Sequence, residues 1–188
     1  METFTFRPAT VEDASFIARQ VLEALHWEMY VLPLKPEKQE AWEELTPVCG
    51  QEGTLYSYRH CTIAQMGKKP VGLVVAYDGK EYRDLRLRTF RQLSCLAGTD
   101  VENMEDEAGC GEWYIDSVAI VPEVRGRGIG RLLLQKAISA AQEQGLCATL
   151  LVDPDNEKAH RLYETMGFQI VGKIKAFNQW FWRMHHHS

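Results

Sequence analysis

The chain has 188 residues, of which 45% are hydrophobic and 25% are charged, as in a single globular domain with a sizeable core. Its net charge of −5 excludes proteins that bind nucleic acid or anionic membranes through an excess of lysine and arginine. No apolar run approaches the ~20 residues of a membrane span, and the N-terminus shows no secretory signal, so we expect a cytoplasmic protein with no nucleic-acid or membrane partner.

The cysteines and histidines give no sign of a metal site. Five cysteines are scattered without a CxxC pair, which predicts reduced thiols, no disulfide framework and no metal. The last three histidines are adjacent, and we interpret them as a tail without function: His185, His186 and His187.

The first half of the chain predicts the order β-α-α-β-β. "TFTFRPAT" alternates as a strand does, and Thr10 with Asp13 has the spacing of a capping box that starts a helix over residues 11–30. A second helix is expected to begin at Pro36 and to end before Pro47. "CTIAQM" and "PVGLVVAYDG" follow as an antiparallel hairpin around the turn "GKK".

The second half predicts the order β-α-β-α-β-β after an unusual insertion. Residues 80–110 form a long connection between strands 3 and 4. Its apolar residues first recur at helical spacing, and an acidic stretch follows. "EWYIDSVAIV" and "CATLLV" are strands that flank a helix ended by Gly145, and residues 156–166 form a further helix before two closing strands. The whole order predicts an α+β protein, a single domain over residues 1–188 with a mixed central sheet flanked by helices.

A glycine cluster in "VPEVRGRGIGRLLL" marks the start of the helix in the second half. It lacks the GK[ST] of a P-loop and is one residue short of the dinucleotide pattern GxGxxG. Glycines at a helix start still leave amides open to an anion, and the neighbouring arginines add positive charge. The cluster therefore predicts a binding site for a pyrophosphate.

The same stretch resembles a family motif. "SVAIVPEVRGRGIGRLLL" is similar to the acetyl-coenzyme A motif V-x-P-x-x-R/Q-G-x-G-x-G/A of the GNAT superfamily of N-acetyltransferases. "NEKAHRLYETMGF" resembles that family's N-x-x-A-x-x-L-Y-E-x-x-G-F segment, and "FRPATVEDASFI" is similar to its first strand and helix. The likeness is strong over residues 112–172 and weak before residue 60.

The resemblance implies a set of residues for acetyl-coenzyme A as co-substrate, with no metal. A strand would pair its main chain with the pantetheine arm, the glycine loop would hold the pyrophosphate, and an asparagine would lie near the pantetheine. These residues are Val118, Ala119, Ile120, Arg125, Gly126, Arg127, Gly128, Ile129, Gly130, Arg131 and Asn156.

Acyl transfer from a thioester to an amine needs a base for the amine and a proton for the departing thiolate. The resemblance implies Tyr163 as the acid near the sulfur, with a buried core tyrosine as the alternative. Asp116 and Glu112 share one strand face by alternation and are both candidates for the base, unless they only face solvent. Some relatives that acetylate protein N-termini carry a glutamate on the next strand, where this chain has leucines at 150–151.

The acceptor is expected to bind where the likeness is weakest. Aromatic and polar residues cluster in the first two helices and form either an acceptor pocket or core: His26, Trp27, Glu28, Tyr30 and Trp42. The insertion at 80–110 is expected to be a lid over the acceptor or a dimer contact.

These observations predict an acetyl-coenzyme A-dependent N-acetyltransferase that acts on a small-molecule or peptide amine by direct attack in a ternary complex, as a monomer or a homodimer. The alternatives are a coenzyme A-binding sensor without turnover and an acyltransferase that uses a longer acyl donor.

Overall fold

A computed structural model describes residues 3–25, 37–177 and 179–187 of the protein. Helices and strands alternate in the predicted order. The elements are β1 (Phe4–Pro8), α1 (Ala14–Ala24), α2 (Lys38–Cys49), β2 (Cys61–Met66), β3 (Lys69–Asp78), α3 (Tyr82–Phe90), β4 (Glu112–Ile120), α4 (Ile129–Glu143), β5 (Cys147–Val152), α5 (Glu157–Thr165), β6 (Phe168–Ala176) and β7 (Gln179–His186).

All seven strands join one sheet in the order β1-β2-β3-β4-β5-β7-β6. β4 and β5 run parallel, whereas every other neighbouring pair is antiparallel. The parallel ladder joins residues 112–115 only to residues 147–150, although β4 continues to Ile120. The predicted α+β class and mixed sheet are confirmed, and the two strands part after a short contact.

The core lies on both faces of this sheet. Ile17 and Val21 of α1 pack with Leu45 of α2 on one face, where all three are almost fully buried. On the other face, Leu133 and Ile138 belong to the apolar stripe of α4, and each such buried side chain stabilises the fold by ~2 kcal/mol. Within the described ranges, no helix combines the length and the apolar character that crossing a bilayer would require.

Three expectations about local structure need correction. Helix α2 does not stop before Pro47 but runs two residues further, because a proline near the last turn removes only one hydrogen bond. The first helix ends at Ala24, and the rest of its predicted span falls largely outside the described residues. His185 and His186 are not a tail, since both lie in β7, where they pair with β5 and β6.

The insertion between β3 and β4 is tied to the domain by a buried arginine. Arg86 of α3 is fully buried, and its Nη1 donates to the carbonyls of Met104 and Glu105, both at 3.1 Å. The same nitrogen lies 2.8 Å from Oδ1 of Asp106. Residues 104–106 are therefore held against α3, and the residue that follows them, Glu107, has a defined position.

Candidate active site

A cavity of about 670 Å³ opens where β4 and β5 part, with α4 and α5 along its wall. The basic side chains of Arg125, Arg131 and Lys158 belong to its lining. The carboxylates of Glu107 and Asp116 line the same cavity together with several aromatic rings. One continuous space therefore joins the glycine cluster to the titratable residues of β4.

The glycine loop has the backbone that close approach of an anion requires. Gly126 and Gly128 have φ values of 80° and 79°, in the left-handed region, and a Cβ at either position would meet no atom within 4 Å. Gly128 is the N-cap of α4 without a side-chain cap, and its carbonyl accepts from the amide of Leu132 at 3.2 Å. The amides of residues 129–131 precede that first helical bond, so they are available to an anion.

Two of the predicted arginines brace this loop. Arg125 donates from Nε to the carbonyl of Ile120 at 2.9 Å, and Arg131 donates from Nη2 to Oγ1 of Thr165 at 2.8 Å. Both side chains belong to the cavity wall. Arg127, a member of the predicted coenzyme set, does not line the cavity. Within the cavity wall, the positive charge beside the loop thus comes from Arg125, Arg131 and the start of α4.

The end of β4 offers a main-chain edge to the cavity. Residues 118–120 pair with β3 on one side, but the pairing with β5 stops at Ile115. Val118, Ala119 and Ile120 all line the cavity. Asn156 lies opposite as the N-cap of α5, where its Oδ1 accepts from the amide of Ala159 at 3.1 Å. Its side-chain NH₂ group is left for a ligand, since no partner for it lies in the described part of the chain.

Tyr163 lines the cavity from α5. Its ring packs edge-on against Phe168, with 6.0 Å between the ring centroids. Burial raises the pKa of Tyr163 to about 12, because the charged phenolate would lose its hydration. Its hydroxyl has no hydrogen-bond partner within residues 3–25, 37–177 and 179–187. A neutral phenol therefore remains free to donate a hydrogen bond into the cavity.

Asp116 is placed by a bulge in β4. Ser117 pairs with Val75 and Ile115 with the next residue of β3, so Asp116 is the extra residue between them. Its carboxylate accepts from the hydroxyls of Tyr77 at 2.7 Å and Ser117 at 2.8 Å. Burial, followed by the nearby negative charge of Glu107, raises the pKa of Asp116 to about 7. A carboxylate with that pKa can accept a proton near neutral pH.

Glu112, the other candidate for the base, does not line the cavity. Both of its oxygens bind Nη2 of Arg183, at 2.5 and 2.6 Å, and one also accepts from the amide of Gly109 at 2.9 Å. Alternation predicts that the two carboxylates share a strand face, but not that they lie at the same point along the strand. Four residues at ~3.3 Å each place Glu112 about 13 Å before Asp116. The structure brings Asp116 and Tyr163 to the cavity and leaves Glu112 in an ion pair.

The acceptor residues expected from the first helices are only partly described. Trp42 does not line the cavity; its Nε1 donates to the carbonyl of Ser15 at 3.0 Å, and Arg19 lies over its ring. It therefore braces α2 against α1. His26, Trp27, Glu28 and Tyr30 lie outside the described residues. On β5, Leu151 lines the cavity where a carboxylate would stand in some N-terminal acetyltransferases.

Two residues of the site were not foreseen from the sequence. Glu107 comes from the insertion, lines the cavity and accepts from the hydroxyl of Tyr114 at 2.7 Å. Tyr77, fully buried in β3, holds Asp116. The tyrosines at 77 and 114 stack edge-on with 5.9 Å between centroids. No periodic signal could reveal Glu107, because its position depends on the tether to Arg86 rather than on a regular element.

Fold and site together define an α+β domain in which a glycine-capped helix and a parted strand pair line one cavity. The model of the Acetyltransferase (GNAT) family matches residues 19–168, and the chain belongs to this family. The resemblance noted in the glycine cluster is thereby confirmed, as is the expectation of an acetyltransferase domain.

Sequence relatives share part of their length with this chain. The mycothiol acetyltransferase of Rhodococcus jostii (strain RHA1) is 45% identical over 102 residues, which cover 53% of this chain and 30% of that protein. The peptidyl-lysine N-acetyltransferase YjaB of Escherichia coli (strain K12) is 38% identical over 63 residues, covering 34% of this chain and 40% of that protein. The matched region thus spans less than half of either relative.

Solved structures match over nearly the whole chain. A crystal structure described as an acetyltransferase superposes with a TM-score of 0.76 and 27% identity, covering 97% of this chain and 98% of the other. An N-acetyltransferase from Staphylococcus aureus Mu50 superposes with a TM-score of 0.82 and 23% identity over 96% and 99% of the two chains, which establishes the fold alone.

Proposed function

We propose that this chain is an acetyl-coenzyme A-dependent N-acetyltransferase that acetylates a primary amine by direct attack in a ternary complex. The observation that carries the proposal is the single cavity that joins the glycine loop to Asp116 and Tyr163. An anion site, a base and a proton donor along one space are the parts that this transfer requires. Acceptors of relatives named for mycothiol and for peptidyl-lysine support an amine.

The residues present fit the coenzyme. Open space above Gly126 and Gly128 leaves room for phosphate oxygens beside the amides of α4, and Arg125 and Arg131 supply charge. The unpaired edge at residues 118–120 suits the amides of a pantetheine arm, as an added strand would. Acetyl-coenzyme A would supply the acetyl group as a thioester.

Asp116 is proposed to take a proton from the acceptor ammonium, which leaves a neutral nitrogen with a lone pair for the acetyl carbon. The new carbon–nitrogen bond forms as the carbon–sulfur bond breaks, and the electron pair of that bond leaves on sulfur. The acylated nitrogen then loses its remaining extra proton, which balances the proton that the thiolate takes up. Tyr163 donates a hydrogen bond, or its proton, to the departing thiolate. Phe168 packs against Tyr163 and keeps its surroundings apolar, which strengthens the hydrogen bond.

The test is release of coenzyme thiol from acetyl-coenzyme A with a broad panel of primary amines, with Tyr163→Phe as the matched variant. Phenylalanine keeps the ring against Phe168, so coenzyme A affinity and both Michaelis constants are expected to change little. Single-turnover rates should fall by ~10²–10⁴-fold, the usual contribution of a general acid.

Coenzyme A binding without thiol release for any amine would contradict the enzyme and favour a sensor. Faster release from a longer acyl donor would contradict acetyl as the transferred group. A Tyr163→Phe rate within about threefold of the parent rate, a difference under ~1 kcal/mol in the barrier, would remove the tyrosine from the chemistry.

A further inference from the structure

In the described part of the chain, Glu107 and Asp116 are two of the four acidic residues that line the cavity, together with Glu23 and Asp153. Glu107 accepts from the Tyr114 hydroxyl and Asp116 accepts from the Tyr77 hydroxyl, both at 2.7 Å. In residues 3–25, 37–177 and 179–187, no lysine, arginine or histidine lies within ion-pair distance of either carboxylate. Hydroxyl groups therefore supply the hydrogen bonds to both carboxylates, whereas Arg86 and Arg183 act on Glu107 only through their charge, from beyond ion-pair distance.

Arg86 is a buried cation in the same insertion, but it binds other groups. Arg86 contacts the carbonyls of Met104 and Glu105 and pairs with Asp106, so its guanidinium fixes the chain before Glu107 and forms no ion pair with Glu107 itself. Burial raises the pKa of Glu107, which reflects the cost of ionising a carboxylate away from water. A cation supplied by a ligand would remove that cost.

The surroundings of Glu107 also suit a carbon chain that ends in a cation. The rings of Tyr82 and Tyr114 meet edge-on, with 6.0 Å between centroids, and both line the cavity. Aromatic faces pack methylene groups and attract ammonium groups. Two basic residues of the cavity wall, Arg125 and Arg131, lie at the glycine loop rather than beside Glu107. There they would bind the coenzyme.

We propose that the acceptor is a diamine, or another primary amine with a second cationic group, whose distal cation binds Glu107 while its reacting nitrogen faces Asp116. This rests on the proposed function and names the substrate class of the same site. The ring centroids of Tyr77 and Tyr114, which each hold one of the two carboxylates, are 5.9 Å apart. Because the two rings are in contact and the charge of Glu107 acts on Asp116, the two carboxylates lie in adjoining parts of the cavity, which suits a short carbon spacer between the two nitrogens.

The experiment compares three acceptors that share a four-carbon chain: diaminobutane, aminobutanol and butylamine. The values of kcat/KM are measured with acetyl-coenzyme A for the parent protein, for Glu107→Gln and for Glu105→Gln. Glutamine at position 107 still accepts from Tyr114 but carries no charge. Glu105 is exposed and outside the cavity wall, so its substitution makes the same chemical change in the same loop without touching the site.

For the parent protein and Glu105→Gln, diaminobutane should exceed aminobutanol by at least about tenfold, as hydrogen bonds to charged groups imply. Glu107→Gln should reduce that ratio to near one, and because all three amines meet the same Asp116, the ratio cancels any effect that the lost charge has on that base. Glu107→Asp, which keeps the charge, should retain part of the preference, and thermal melting verifies that each variant is folded.

Equal use of the three amines by the parent protein would overturn the second-cation inference and leave the proposed transferase intact. A preference that persists in Glu107→Gln would overturn the role of Glu107. Absence of thiol release with every amine would overturn the proposed function and this inference together.

Discussion

Removal of the Tyr77 hydroxyl should shift the pH dependence of the reaction to higher pH. Tyr77 donates to Asp116 at 2.7 Å in a buried setting, and this bond favours the ionised carboxylate. The titratable and polar groups that interact with Asp116 come from five parts of the chain: Cys61 of β2, Tyr77 of β3, Tyr82 of α3, Glu107 of the insertion, and Tyr114 and Ser117 of β4. Tyr77→Phe removes one stabilising donor and leaves the ring that packs on Tyr114 in place.

The size of the shift follows from the strength of that bond. A hydrogen bond to an ionised group stabilises it by ~1.5–3 kcal/mol, and one pKa unit corresponds to ~1.36 kcal/mol. The pKa of Asp116, about 7 in the parent protein, should therefore rise by about one to two units in Tyr77→Phe. Asp116 acts as a base only when it is ionised, so the variant should lose activity below its raised pKa and recover it above.

The assay is kcat/KM against pH for both proteins with the same amine. The ratio of parent to variant cancels the titration of the amine itself. This ratio should be near one at high pH and should increase to ~10–100 as the pH falls below 7. Tyr58→Phe is the control, because Tyr58 donates to Glu52 at 3.0 Å on the surface. A pH-independent ratio, or a limb that persists in Asp116→Asn, would refute Asp116 as the base.

Two further predictions concern the glycine loop and the excluded carboxylate. Gly128→Ala should weaken coenzyme A binding in calorimetry by about tenfold or more and should cost ~1–2 kcal/mol of stability. The control is Gly98→Ala, which has the same φ of 79° and the same open space, and which should cost a similar amount of stability but leave the affinity unchanged. Equal affinities of the two variants would count against the glycine loop as the binding site. Glu112→Gln should keep kcat/KM within about threefold. It should lower the free energy of unfolding in urea by ~1–3 kcal/mol, because it breaks the ion pair with Arg183. A selective loss of kcat would restore Glu112 as a candidate base.

Local patterns in the sequence were sufficient to predict the backbone of the glycine loop and the elements that carry Asn156 and Tyr163. The positive φ values at Gly126 and Gly128 follow from glycines at alternate positions before an amphipathic helix. Tyr163 and Asn156 lie on one short helix whose motif is contiguous, so their common approach to the cavity needs no long-range information.

The acceptor side could not be predicted in the same way. Glu107 enters the cavity because Arg86, about twenty residues earlier, binds the loop before it, and no period of the sequence encodes that contact. Glu112 and Asp116 look equivalent by alternation, yet one meets Arg183 from β7 and the other lies at a bulge. Strands that are distant in sequence therefore determine which of the two carboxylates lines the cavity and which is held in an ion pair.

The position of β7 determines when the cavity wall is completed during synthesis. β7 follows β6 in the chain but lies between β5 and β6 in the sheet, so β6 has no partner until β7 has left the ribosome. The two strands must therefore pair as a hairpin and dock together along β5 as a late step. Because Tyr163 packs on Phe168 of β6, the residue proposed to release the product thiol reaches its place only in that step.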